Sequence, residues 1–98
     1  MSQQLTVLAR FKAKPGMEKT VLAEILALIE PTRREAGCIN YDLHRSNDDG
    51  SLFLLHENWR SRKDLDDHLA MPYLQAFLGK AEGLLAEPVD ISFWDRIA

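Results

Sequence analysis

The hydrophobic period of this chain changes once in its opening third, from two to about 3.6, and no other feature narrows its possible folds as far. Leu5, Val7, Ala9 and Phe11 alternate with Thr6, Leu8, Arg10 and Lys12, the pattern of a strand with one buried face. Pro15-Gly16 ends that pattern. From Met17 onward Val21, Leu22, Ile25, Leu26, Leu28 and Ile29 recur as one face of a helix, with Glu18, Lys19, Glu24 and Glu30 largely on the other. Pro31 is expected to kink this helix and Gly37 to end it as a C-terminal cap.

Two further strands are predicted, Cys38 to Arg45 and Leu52 to Arg60, joined as a hairpin through Asn47-Asp48-Asp49-Gly50. Ser61 followed by Asp64 reads as a helix N-cap box, with Leu65, His68 and Leu69 on one side of a short helix. Pro72 opens a second helix carrying Tyr73, Leu74, Phe77, Leu78 and Ala81. After Glu87-Pro88 a last strand is expected over Val89 to Ile97. The order β-α-β-β-α-β is that of an α+β, ferredoxin-like fold: a four-stranded antiparallel sheet with helices on one face. The other face would carry Leu8, Leu52, Leu54 and Trp94 among Asn40, Asp42, His44, His56 and Asn58. So mixed a surface is too apolar to be simply solvated, and pairing with a second copy through the sheet face, as a homodimer, is the expected solution.

Composition sets outer limits. The 98 residues are enough for one domain, spanning residues 1–98, with a single core that buries roughly 65% of the unfolded surface. A net charge of −3, with basic residues spread along the chain, gives no footprint for nucleic acid. No apolar run approaches the roughly 20 residues of a membrane span, and Met1 to Leu8 lacks the build of a secretory signal, so a cytoplasmic location is expected. Cys38 is alone and is expected to act as a small buried hydrophobe. His44, His56 and His68 lack metal-ligand spacing, and no glycine-rich phosphate loop occurs, so no metal and no cofactor are predicted.

The hairpin register decides which side chains share a pocket. If Ile39, Tyr41 and Leu43 face the helices, Phe53, Leu55, Glu57 and Trp59 best match them on that face. Glu57 is then a carboxylate among apolar neighbours beside an indole, its pKa raised unless it finds a donor. His68, on the inner side of the following helix, is a candidate partner that would titrate near neutrality. Glu57 and His68 are therefore the candidate acid/base pair, while Trp59, Tyr73, Tyr41 and Phe77 are candidate walls for a planar ligand. Each of these side chains also has a plain structural reading, as core aromatics and satisfied buried polar groups.

The opening strand with Lys14-Pro15-Gly16, Glu30-Pro31-Thr32 ahead of Glu35-Ala36-Gly37-Cys38-Ile39-Asn40-Tyr41-Asp42-Leu43, Glu57-Asn58-Trp59, and His68-Leu69 followed by Met71-Pro72-Tyr73 occur in a telling order. In that order the chain resembles, over nearly its whole length, the antibiotic biosynthesis monooxygenase domain of the dimeric α+β barrel group. The resemblance implies a homodimer whose sheets form a shared barrel, with a pocket in each subunit between sheet and helices. It also implies oxidation of a small quinol or phenolic, polyketide-like substrate by O₂ without a cofactor. An isomerase or cyclase of a small carbonyl compound, or a non-catalytic binding domain, are the alternatives. Carried over by position, Trp59 matches a pocket tryptophan, and Glu57 and His68 match polar pocket positions. Tyr73 stands where similar members often have His, and Leu55 and Leu43 stand at pocket positions where polyketide-oxidising relatives place an Asn and a Tyr.

Overall fold

A computed structural model describes residues 4–98; Met1, Ser2 and Gln3, part of the opening segment read above for a secretory signal, lie outside it. In chain order the elements are β1 (Leu5–Lys12), α1 (Glu18–Arg33), β2 (Cys38–Arg45), β3 (Leu52–Trp59), α2 (Arg62–Leu69), α3 (Pro72–Leu84) and β4 (Asp90–Trp94). The strands form one antiparallel sheet in the order β2-β3-β1-β4. This is the α+β, ferredoxin-like arrangement, with the second helical segment divided at Met71 before Pro72.

Period-two alternation sorts the sheet residues onto two faces. Val7, Ala9 and Phe11 of β1 are buried with Phe53, Leu55, Glu57 and Trp59 of β3, against Val21, Ile25 and Leu28 of α1 and Leu74, Phe77 and Ala81 of α3. Each valine, leucine, isoleucine or phenylalanine removed from water in this way contributes about 1.5–3 kcal/mol, so the face is fixed by many such terms at once. The register puts Glu57 between Val7 on one neighbouring strand and Tyr41 on the other. The opposite face holds Leu8, Leu52, Leu54, His56, Asn58 and Trp94, joined by a polar ladder in which Asn58 Oδ1 accepts from Thr6 Oγ1 at 2.5 Å and Asn58 Nδ2 donates to Asn40 Oδ1 at 2.8 Å.

Local chemistry explains the junctions. Gly16, at φ 85°, makes the turn into α1 in a conformation that side chains disfavour. In the hairpin, Ser46 Oγ accepts from the amides of Asp48 and Asp49 at 3.1 and 3.2 Å, and Lys12 pairs with Asp49 across the loop. Ser61 caps α2, its hydroxyl accepting from the Asp64 amide at 3.2 Å, as the sequence indicates.

Three expectations need correction. Gly37 does not cap α1, which runs through Pro31 to Arg33 and closes on Arg34 in a right-handed conformation. Gly37 is instead small because α2 approaches it: a Cβ there would lie 2.2 Å from Asp64 Cβ, while its carbonyl accepts from the Arg60 amide at 2.9 Å. Ile39 does not face the helices. A register shift between Cys38 and Asn40 places an extra residue in β2 and leaves Ile39 54% exposed, while Cys38 pairs opposite Trp59. The last strand is five residues long, not nine, because pairing with β1 ends at Trp94.

Among the described residues no helix is long and apolar enough to cross a membrane.

Candidate functional site

Between the sheet and the helices lies a cavity of about 130 Å³. Its lining includes Val7, Ala9 and Phe11 from β1, Tyr41 from β2, Leu55 and Glu57 from β3, Leu65, His68 and Leu69 from α2, Leu74, Phe77 and Leu78 from α3, and Ile91 and Phe93 from β4. Most of these are buried, whereas Ile91 and Phe93 are 40% and 47% exposed. The cavity therefore reaches the surface beside β4, and Pro72 is not part of its wall. Among the described residues no lysine or arginine lines it.

Five of the eight sequence-singled residues border this space: Tyr41, Leu55, Glu57, His68 and Phe77. Trp59, Tyr73 and Leu43 do not. Trp59 lies behind the imidazole, its ring 4.6 Å from that of His68 at an interplanar angle of 32°. Its indole N–H donates to Glu57 Oε1 at 2.8 Å, which supplies the donor that a buried carboxyl requires. The Tyr41 ring meets His68 edge-on at 5.6 Å. Leu43 is partly buried against the core beside Leu55.

The partner of His68 differs from the expected one. His68 Nδ1 lies 2.8 Å from Oε2 of Glu35, not of Glu57. The Tyr73 hydroxyl donates to the same oxygen and lies 3.4 Å from Thr32 Oγ1. Glu35 sits in the turn between α1 and β2, fixed by its own amide on Thr32 O and its carbonyl under the Cys38 amide, both at 3.0 Å. Periodicity could not find it, since 33 residues separate it from His68 and it lies in neither a helix nor a strand. The stretch from Glu35 to Leu43 that carries the family resemblance begins with it, and that is its signal in the sequence.

Electrostatics set the two cavity groups apart. Burial pushes the Glu57 carboxyl up to about 7; the Trp59 hydrogen bond opposes this and the charge of Glu35 adds to it. Burial pushes His68 below its ordinary value, against the opposing pull of Glu35. At neutral pH the imidazole is thus uncharged and able to accept a proton, while Glu57 is in substantial part a neutral acid able to give one. The remaining groups are less available. Burial and the nearby carboxylates Glu57 and Glu35 raise the Cys38 thiol to about 11, which removes the thiolate a nucleophile needs. Burial raises Tyr73 to about 12 and drives Tyr41 higher still.

Among the described residues no cluster of three or more His, Cys, Asp or Glu is arranged to hold a metal. His44 and His56 lie on the outer sheet face, away from His68.

Comparison with known proteins gives a consistent picture. Residues 4–80 match the sequence profile described as antibiotic biosynthesis monooxygenase. Rv0793 of Mycobacterium tuberculosis, whose name assigns it provisionally as a monooxygenase, is 38% identical over 92 residues, covering 94% of this chain and 90% of that protein. Its solved structure superimposes with a TM-score of 0.93 at 35% identity, over 97% of this chain and 96% of that one. The structure of PA3566 from Pseudomonas aeruginosa also gives 0.93, at 38% identity over 100% and 98% of the two chains. A Synechocystis protein, sll1783, is 36% identical over 90 residues, and there the match covers 92% of this chain but only 61% of the relative's length.

Proposed function

The chain belongs to the antibiotic biosynthesis monooxygenase family, and we propose that it oxidises a small quinol or phenol with O₂, without a bound cofactor. The observation that carries this reading is a neutral imidazole bordering an apolar cavity that also contains one raised carboxyl. His68 removes the phenolic proton. The electron-rich anion passes an electron to O₂, and the radical pair combines at a ring carbon. One oxygen atom stays on the ring and the other leaves as water, with Glu57 giving the departing oxygen a proton and all four electrons coming from the substrate. Proton transfer by positioned groups accelerates such steps, and the apolar walls of Tyr41, Leu55 and Phe77 keep water from the radical pair. Trp59 and Tyr73 act from behind, through Glu57 and Glu35.

An oxygen electrode and a panel of quinols and phenols test the reading. The His68→Ala variant is expected to lose at least tenfold in rate on any substrate the wild type turns over, and equal rates across the panel would reject the proposal. The same split acid/base pair would also suit isomerisation of a small carbonyl compound, which would show as solvent deuterium entering the product with no oxygen consumed.

We place the subunit contact of a homodimer on the outer sheet face, where Trp94 is 55% exposed beside the partly exposed Leu8, Leu52 and Leu54. Sedimentation is expected at twice the 11.2 kDa chain mass, and Leu54→Glu should shift it to the single chain. Wild-type protein sedimenting at the single-chain mass at micromolar concentration would refute this.

A further inference from the structure

We propose that Glu35 is the positioning residue of this site, holding His68 in the one tautomer and orientation that present its Nε2 lone pair to the cavity, with Tyr73 clamping Glu35 through the same carboxylate oxygen. The reading rests on the proposed role of His68 as base and adds the device that makes it one.

A neutral imidazole has one nitrogen that donates and one that accepts, and the partner of the donor decides which. Here Nδ1 lies 2.8 Å from a carboxylate oxygen, which can only accept, so Nδ1 carries the proton. Glu35 is not part of the cavity wall while His68 is, so the ring spans from the turn to the cavity with Nδ1 at its outer end. The Nε2 atom has no hydrogen-bond partner among the described residues, which leaves its lone pair for a ligand. Ring rotation is limited by the Trp59 face at 4.6 Å and by the edge contacts of Tyr41 at 5.6 Å and Tyr73 at 6.4 Å.

Tyr73 also gains a role. Its hydroxyl meets the same Oε2 that holds His68, so two donors converge on one oxygen, and the carboxylate is fixed from α2 and α3 together. When Nε2 takes a proton, the imidazolium has its counter-charge already in place, and no group need move. The ionisable groups facing the ring are Glu35 from the turn, Tyr73 from α3, Tyr41 from β2 and, across the cavity wall, Glu57 from β3. Of these Glu35 alone is hydrogen-bonded to it.

Nitrogen-detected NMR of the imidazole tests this without any substrate. In the wild type at pH 8, His68 is expected as the Nδ1–H tautomer, and finding Nε2–H would overturn the proposal outright. Glu35→Gln should lower the His68 titration midpoint by about one unit, since it removes the charge that supports the protonated ring. Tyr73→Phe should move it upward, because Glu35 then serves His68 alone. Titration unchanged in folded Glu35→Gln protein would count against Glu35; if that variant is unfolded, absence of the upward shift in Tyr73→Phe does so instead. Once a substrate is found, the acidic limb of the rate profile should follow the same shifts. A panel without turnover, combined with the Nδ1–H tautomer, would reject the oxygenase reading and leave the positioning role intact.

Discussion

Trp59→Ala is expected to lower the unfolding free energy by about 4 kcal/mol, a large part of what a domain of this size possesses. Trp59 has no solvent exposure, and its loss acts in two ways. A void opens between Tyr41 and His68, whose rings lie 6.5 and 4.6 Å from the indole. The buried Glu57 carboxyl also loses the N–H that reaches it at 2.8 Å. Trp59→Phe separates these contributions: it fills most of the void, lacks the donor, and should push the Glu57 pKa higher still, because the removed hydrogen bond acts to lower it. Urea unfolding measures both variants, and a loss below about 1 kcal/mol for the alanine would contradict this account of the core.

Glu57→Gln should do the opposite and stabilise the protein at pH 8, by up to about 3 kcal/mol. The sign follows from proton binding. In the folded state Glu57 holds its proton up to about 7, against an ordinary value of 4.5, so between those values the folded protein binds more protons than the unfolded chain. Its stability therefore falls as pH rises across that window and stays reduced above it. Glutamine has no charge to bury and keeps an oxygen for the Trp59 N–H, so its advantage should be full at pH 8 and absent near pH 4. His68 works in reverse: with its pKa lowered by burial, it removes stability as pH falls below its ordinary value of 6.5. Thermal unfolding across this range would show the difference between wild type and Glu57→Gln, and a difference independent of pH would mean that Glu57 does not titrate as described.

The same residues show what was legible in the chain. Alternation marks Val7, Ala9 and Phe11 as inward, and hydrophobic matching across the hairpin turns Glu57 and Trp59 inward from the sequence alone, because a one-residue slip would bury Asn58 and His56 instead. Ser61 and Asp64 announced the start of α2, since a cap is a local hydrogen bond between residues close in sequence. Two things were not legible. The bulge at Ile39 breaks the period without a glycine or proline to mark it. Glu35 reaches His68 only after two elements have packed, so no spacing rule links them. Gly37 carries the signal of a helix cap because glycine commonly ends helices, whereas its small size serves the approach of α2 to the turn.

The final strand has five residues and a single neighbour in the sheet, and its side chains divide between two surfaces: Ile91 and Phe93 border the cavity, while Ser92 and Trp94 lie on the outer side, joined by a 2.8 Å hydrogen bond. Losing one residue from the segment around Pro88, with pairing to β1 kept, would exchange those assignments in a single step and turn Ser92 and the Trp94 indole toward the helices. The cavity wall beside β4 is therefore varied one side chain at a time by substitution along the strand, whereas a change in the length of the segment leading into it redirects every side chain at once.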